Sequence, residues 1–251
     1  MEGVPVASVY SGSTRSCNFP RSNPTDTSIS ILERSVYGVS EAAGLLGLHA
    51  RRVSAWLDGY ERGGRFYEPV IRPEHTGDDI VTWGEFVELG YLREYRRKGV
   101  PLQRLRPVIA ALRNEYQTLY PLATAQPFVY GRDLVLVLQR ENALPDPLAI
   151  VVRSGQTVLL ADEAERFFRK VEFDSQEAVC RLRPAGSASA VVIDPLIRFG
   201  RPSVRGVSTD RLWELYDAGE PLEVISTGYE MPEHDVRAAV AYEEQQRSIT
   251  A

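Results

Sequence analysis

The chain is poor in the residues that build disulfide scaffolds and metal centres. Its 251 residues include two cysteines, Cys17 and Cys180, and three histidines, His49, His75 and His234, all scattered. No CxxC pair occurs, which argues against a zinc ribbon and a disulfide framework, and no metal or other cofactor is expected. Long apolar runs are also missing: nothing approaches the roughly 20 residues that a membrane helix needs. The first thirty residues lack a basic start followed by an apolar stretch, so no export signal is expected. Together with the few cysteines, this predicts a cytoplasmic protein. P-loop, Rossmann, HExxH and nucleophile-elbow patterns are absent, so the expectation is a protein that is not an enzyme.

What is present is ordinary in amount and uneven in distribution. Apolar residues make up 43% of the chain, enough for a core, and the net charge is -5 from 34 acidic and 29 basic residues. Residues 1–33, rich in Ser, Thr, Asn and Pro, read as a flexible arm. From Arg93 to Arg106, five arginines and Lys98 face Glu94 alone, either a DNA-binding cluster or a solvated helix end. From Asp194 onward the balance reverses, to 11 carboxylates against 6 arginines.

Periodicity divides the rest. Ser40 is a candidate N-cap for a short helix through Leu46, and Gly47 suits the turn that ends it. A second helix, Ala50 to Asp58, carries the apolar stripe Val53, Trp56 and Leu57. A wing-sized segment from Gly59 to Asp79 follows, with a strand from Phe66 to Arg72 and another at Ile80-Val81. Thr82 should cap a helix running to Lys98. That helix is apolar on two sides, Trp83, Phe86 and Val87 against Leu89 and Leu92, and therefore needs cover on both. A helix opened by Pro101 follows, with Pro107 expected to kink it or delay its start. Residues 121–184 read as β-rich: Phe128–Tyr130 and Leu134–Leu138 are candidate strands, Ala149–Val152 and Thr157–Leu160 a candidate hairpin, and Asp162 with Glu165 a capping box. Pro184–Ser189 reads as a linker. Beyond it come a β-hairpin and three helices, about Asp210–Asp217, Leu222–Ser226 and Glu233–Gln246. The predicted fold class is α+β, in segments 1–33, 34–120, 121–184 and 190–247.

Two helices joined by a glycine turn, followed by a wing, are what a winged helix-turn-helix requires. The predicted DNA-facing set is Ser40, His49, Arg51, Arg52, Ser54, Ala55 and Arg65. Arginine can bond guanine bidentately or hold a phosphate, and alanine permits close approach. A helical pair that only packs is the alternative.

The stretches "YGVSEAAGLLGLHARRVSAWL" and "DIVTWGEFVELGYLREYRRKGVPLQRLRPVIAAL" resemble the MerR-type winged helix-turn-helix. From Val191 to Glu244 the chain resembles a small prokaryotic antitoxin-like domain. The residues that carry this likeness are Asp194-Pro195, Gly200-Arg201-Pro202 with Arg205-Gly206, and Ala218-Gly219-Glu220. Where members of that domain continue Thr-Arg-Ile-Pro-Val after Arg-Gly, this chain has Val207-Ser208-Thr209-Asp210. The resemblance implies a VapB-like antitoxin that binds operator DNA, autoregulates, and neutralises a PIN-domain ribonuclease toxin. Trp213, Tyr216 and Tyr229 are the candidate toxin anchors. The apolar sides of the Trp83 helix and the two-fold symmetry of operators predict a homodimer. The alternative is a stand-alone MerR-like regulator whose β-rich middle senses a small molecule in an aromatic pocket.

Overall fold

The computed structural model describes residues 30–97, 99–124, 150–153, 156–159, 167 and 169–250. It is a mixed chain of helices and small two-stranded antiparallel sheets, consistent with the α+β class. Most of the N-terminal arm lies outside the described residues, as do the candidate strands 128–130 and 134–138 and the capping box at 162–165. The end of the arm is structured: Ile31–Glu33 forms a 3-10 turn that buries Leu32 and packs on the helix from Trp83.

Strand β1 (Ser35–Gly38) leads into α1 (Val39–Leu45), and α2 (Ala50–Asp58) follows. The helix starts one residue earlier than Ser40 suggests. Gly38 is its N-cap, and the Val39 N–H is taken up by the Asp79 carbonyl, so Ser40 caps nothing. Gly47 has φ 60° in the turn, the left-handed conformation expected of it. The α2 boundaries and its buried stripe of Val53, Trp56 and Leu57 follow the sequence period.

The wing differs from the expected pairing. Strands β2 (Tyr60–Arg62) and β3 (Arg65–Tyr67) form the hairpin, turning at Gly63-Gly64 with φ 60° and 72°. Both turn residues need positive φ, which glycine supplies without steric cost. Val70 and Ile71 are core, and β4 (Ile80–Thr82) pairs with β1.

Helix α3 (Trp83–Arg97) is the axis of the larger core. Its start is a capping box: the Glu85 N–H bonds the Thr82 hydroxyl, and the Glu85 carboxylate takes the Thr82 N–H. Twelve of its fifteen residues are buried. The cover on both sides comes from the same chain: the Ile31 turn, Pro121–Ala123, Phe167, and the strand Val179–Leu182, whose Val179 carbonyl accepts from the Trp83 indole at 2.6 Å. The two-sided helix thus needs no second copy. Helix α4 (Leu102–Tyr116) runs through Pro107 as one element.

Beyond it, β5 (Ile150–Arg153) pairs with β6 (Gln156–Leu159), and β7 (Val171–Phe173) with β8 (Val179–Leu182). The predicted linker is a tight turn rather than a spacer. Leu182 and Ile193 exchange backbone bonds across it, Gly186 and Ser189 close turns within it, and Arg183 reaches the Ser189 carbonyl. The C-terminal module holds the hairpin β9 (Ser203–Val204) and β10 (Val207–Ser208), then α5 (Thr209–Asp217), α6 (Leu222–Gly228) and α7 (Glu233–Thr250). A second core fills it, from Val191, Val204 and Leu212 to Val240 and Tyr242. Neighbouring residues Val191 and Ile193 thus serve different cores.

Candidate functional site

The surface of α2 is the first candidate. With Val53, Trp56 and Leu57 facing inward, Arg51 is exposed on the opposite side and Arg52 at the edge of the stripe. Exposed His49 is the N-cap residue and makes no side-chain capping bond, while its own carbonyl accepts the Arg52 and Val53 N–H groups. Ala55 is half-buried. The Ser54 hydroxyl is already engaged, donating back to the Ala50 carbonyl at 3.2 Å. Ser40 is exposed on the second residue of α1.

Arg65 is exposed on the hairpin, its guanidinium 5.5 Å from the Tyr67 ring centroid. The hairpin folds tightly against the end of α2: a Cβ at Gly59 would lie 2.3 Å from the Tyr67 carbonyl. The sequence reading missed three further exposed hairpin residues, Tyr60, Arg62 and Phe66. The alternation of Tyr-Glu-Arg and Arg-Phe-Tyr around Gly63-Gly64 is the signal that could have found them.

Arg72, 6% exposed, fixes this assembly. Its guanidinium donates to Glu85 and Asp58 at 2.7 Å, to the Thr76 hydroxyl at 2.7 Å, and to the carbonyls of Asp78 and Ile80 at 2.8 Å. One side chain thus ties the end of α2, the 73–79 loop, β4 and the start of α3. Burial would raise the Asp58 carboxyl, but bonds from the Thr76 N–H and Arg72 outweigh it and hold it below the ordinary range.

The basic run behind the hairpin is largely spoken for. Arg93 reaches the Leu46 carbonyl, Arg96 that of Val100, and Arg106 those of Glu68 and Pro69. Arg113 does the same at Ile71. These cations cap carbonyls inside the fold, closer to the helix-end reading than to a free phosphate-binding cluster.

The C-terminal module separates the three aromatic candidates. Trp213 and Tyr229 are half-buried against its core, and the Arg247 guanidinium lies 3.5 Å from the Trp213 ring centroid. Tyr216 is 41% exposed. Arg205 braces a carboxylate, donating to Asp235 at 2.6 Å. A cleft of about 690 Å³ separates α1 from this module, lined by Glu41, Leu45, Arg201, Thr209, Glu243 and Arg247 among others. None of its lining comes from the β-rich middle, whereas the small-molecule reading places an aromatic pocket between that middle and the helices.

Among the described residues, no cluster of three His, Cys, Asp or Glu could hold a metal ion. Cys180 is disulfide-bonded, against the expectation from cysteine usage; Cys17 lies outside the described residues. No described helix is long and apolar enough to cross a membrane.

Fold and surface together define a mixed α/β protein with a helical front and a compact C-terminal module. Residues 191–242 of that module match a family described as "Protein of unknown function (DUF433)". The chain is 35% identical over 228 residues to "Uncharacterized protein Rv2308" of Mycobacterium tuberculosis (strain ATCC 25618 / H37Rv), across 87% of this chain and 94% of that protein. It belongs to the family of that protein. It is also 29% identical over 192 residues to "Putative antitoxin VapB45" of the same strain, covering 68% of this chain and 77% of the relative. Its fold resembles the crystal structure of Rv2018 from Mycobacterium tuberculosis, with a TM-score of 0.66 at 24% identity, over 82% of this chain and 97% of that one. The relatives are named as an antitoxin or as uncharacterized, and none as an enzyme.

Proposed function

We propose that the chain is the antitoxin of a toxin-antitoxin pair: it binds operator DNA through α2 and the β2–β3 hairpin, and restrains a PIN-type ribonuclease through its C-terminal module. The carrying observation is the exposed face of α2. Arg51 stands opposite a fully used apolar stripe and Arg52 at its edge, beside an exposed His49 and a helix N-terminus without a side-chain cap that suits a phosphate. The hairpin adds Arg62 and Arg65, with Tyr60 and Phe66, at the other end of the same helix. The relative named as an antitoxin supports the toxin-antitoxin half of the reading.

Fluorescence anisotropy with a labelled duplex from the chain's own upstream region tests the DNA half. Arg51→Ala should cost roughly 1–3 kcal/mol of binding if it reads a base edge. Affinity should fall as salt rises. A folded Arg51→Ala, Arg52→Ala double variant with unchanged affinity would refute the assignment to α2. Co-expression with the nuclease of the adjacent reading frame tests the other half: a chain ending near Ser187 should lose both co-purification and growth rescue.

A further inference from the structure

The most exposed large apolar side chain described is Phe199, at 77%, with Leu196 at 45% three residues before it. Both lie on the loop of residues 194–202, which is held rather than loose. Asp194, 2% exposed, accepts Arg181 at 2.8 Å through one carboxylate oxygen and the Leu196 N–H at 2.9 Å through the other. At the far end the Tyr37 hydroxyl donates to the Gly200 carbonyl, and a Cβ on Gly200 would come within 2.6 Å of that hydroxyl.

Three successive residues, Arg198, Phe199 and Gly200, have φ of 52°, 54° and 77°. For arginine and phenylalanine this left-handed conformation is strained. Strain of this kind persists where surrounding structure over-determines it, and it gathers at binding sites. A rigid loop that pushes an aromatic ring into water has the form of a pre-organised anchor, with little ordering entropy left to lose on docking.

The charge around the ring indicates what it meets. Arg198, Arg201 and Arg205 lie close to it in sequence, half of the six arginines from residue 194 onward. Each is engaged within the chain through Nε, with Gly206, Glu41 and Asp235 respectively, and each side chain remains exposed. Two of the three already carry a carboxylate, which disfavours phosphate. The rest of the module is acidic. On α5 and α6 it presents two other exposed apolar groups, Tyr216 at 41% and Val224 at 54%, among Glu214, Asp217, Glu220 and Glu223. One chain therefore carries two complementary elements: a cationic loop with an aromatic tip, and a helix pair whose exposed apolar groups stand among carboxylates, with Arg211 the one cation on it, paired to Glu214.

We propose that the 194–202 loop, led by Phe199, docks on the acidic α5–α6 face of a second copy, and that the reciprocal contact closes a two-fold homodimer. This interface would supply the symmetry a two-fold operator calls for, but it does not depend on DNA binding. The test uses the full chain and light scattering across micromolar concentrations. The wild type should show twice the 28.1 kDa chain mass. Phe199→Gly removes the anchor and relieves the left-handed strain. Its dimer dissociation constant should rise at least about 30-fold, the loss typical of an aromatic anchor, while its melting temperature holds or rises. Arg198→Glu and Glu223→Lys chains should each be monomeric alone and form a heterodimer when mixed, because both contacts are then matched. A wild-type monomer, or a Phe199→Gly dimer of unchanged affinity, overturns the proposal. So does a mixture of the two charge variants that stays monomeric. Operator binding measured on the same wild-type sample separates this failure from failure of the DNA reading. Loss of single-stranded oligonucleotide binding by Phe199→Gly, with the dimer intact, would instead identify the loop as a nucleic-acid contact.

Discussion

Replacing Arg72 with methionine should be the most damaging single change in the front half of the chain. Methionine keeps most of the stem volume and removes the guanidinium. What remains are two carboxylates whose side chains are 14% and 8% exposed, Asp58 and Glu85, together with the carbonyls of Asp78 and Ile80. Hydrogen bonds to a charged group contribute about 1.5–3 kcal/mol each, but bonds that share one donor are not additive. The better guide is the removal of one partner from a buried ion pair, which costs about 3–5 kcal/mol because the other charge is left buried. At about 2–4 °C per kcal/mol for a chain of this size, the melting temperature should drop by roughly 6–20 °C. Circular dichroism melts and urea titration both measure it. With two separate cores, the transition to follow is the one reported by Trp56 and Trp83 fluorescence rather than by Trp213. Adding Asp58→Asn and Glu85→Gln to Arg72→Met should recover part of the loss, since the stranded charges are then gone. A loss below about 1 kcal/mol, or no recovery in the triple variant, would show that Arg72 is not the tie the geometry indicates.

Other expectations follow from the same packing. Glu88 is fully buried, with one oxygen on the Leu122 N–H; burial lifts its pKa from 4.5 to about 8, against that bond and the pull of Arg113, with Glu85 adding to the rise. Between pH 4.5 and 8 the folded state keeps a proton that the unfolded state releases, so stability falls as pH rises through that window. Glu88→Gln should therefore be about 2–4 kcal/mol more stable than wild type at pH 8, and the gap should close toward pH 4.5; equal gains at both ends in urea titrations would count against the buried acid. Gly90→Ala would put a Cβ 2.1 Å from the Phe167 ring, and overpacking of this kind should cost about 1–3 kcal/mol in the same melts. In the Phe199→Gly background, where the proposed dimer contact is removed, Tyr216→Ala should change stability by no more than about 0.5 kcal/mol, whereas Trp213→Ala, which removes a ring packed on the core and stacked by Arg247, should cost clearly more. Equal melting temperatures for the two would contradict the assigned burial.

The local elements were legible because each rests on short-range rules. Val53, Trp56 and Leu57 at helical spacing set α2, Thr82 set the start of α3, and the three C-terminal helices followed their glycine and proline punctuation. The hairpin at Gly63-Gly64 was missed, because the apolar run after it drew the strand toward Val70 and Ile71, which are core residues. Partners were not legible. The pattern of α3 fixed that both its sides must be covered, but a helix period cannot say whether the cover comes from the same chain or another; here Phe167, the Ile31 turn and β8 provide it. The arginines from 93 to 106 read as a basic patch because charge is visible in sequence, while the carbonyls that Arg93 and Arg106 occupy come from segments distant in the chain. Phe199 reverses the usual rule. An apolar residue in sequence defaults to the core, and only a strained loop pinned by Asp194 and Tyr37 leaves this one in water. The sequence alone determined most of the helices and the turns that end them, because those depend on neighbours within a few residues. Tertiary structure decided which charges are free, which faces are covered and which aromatic ring is offered outward, because those depend on contacts the chain makes only once it has folded.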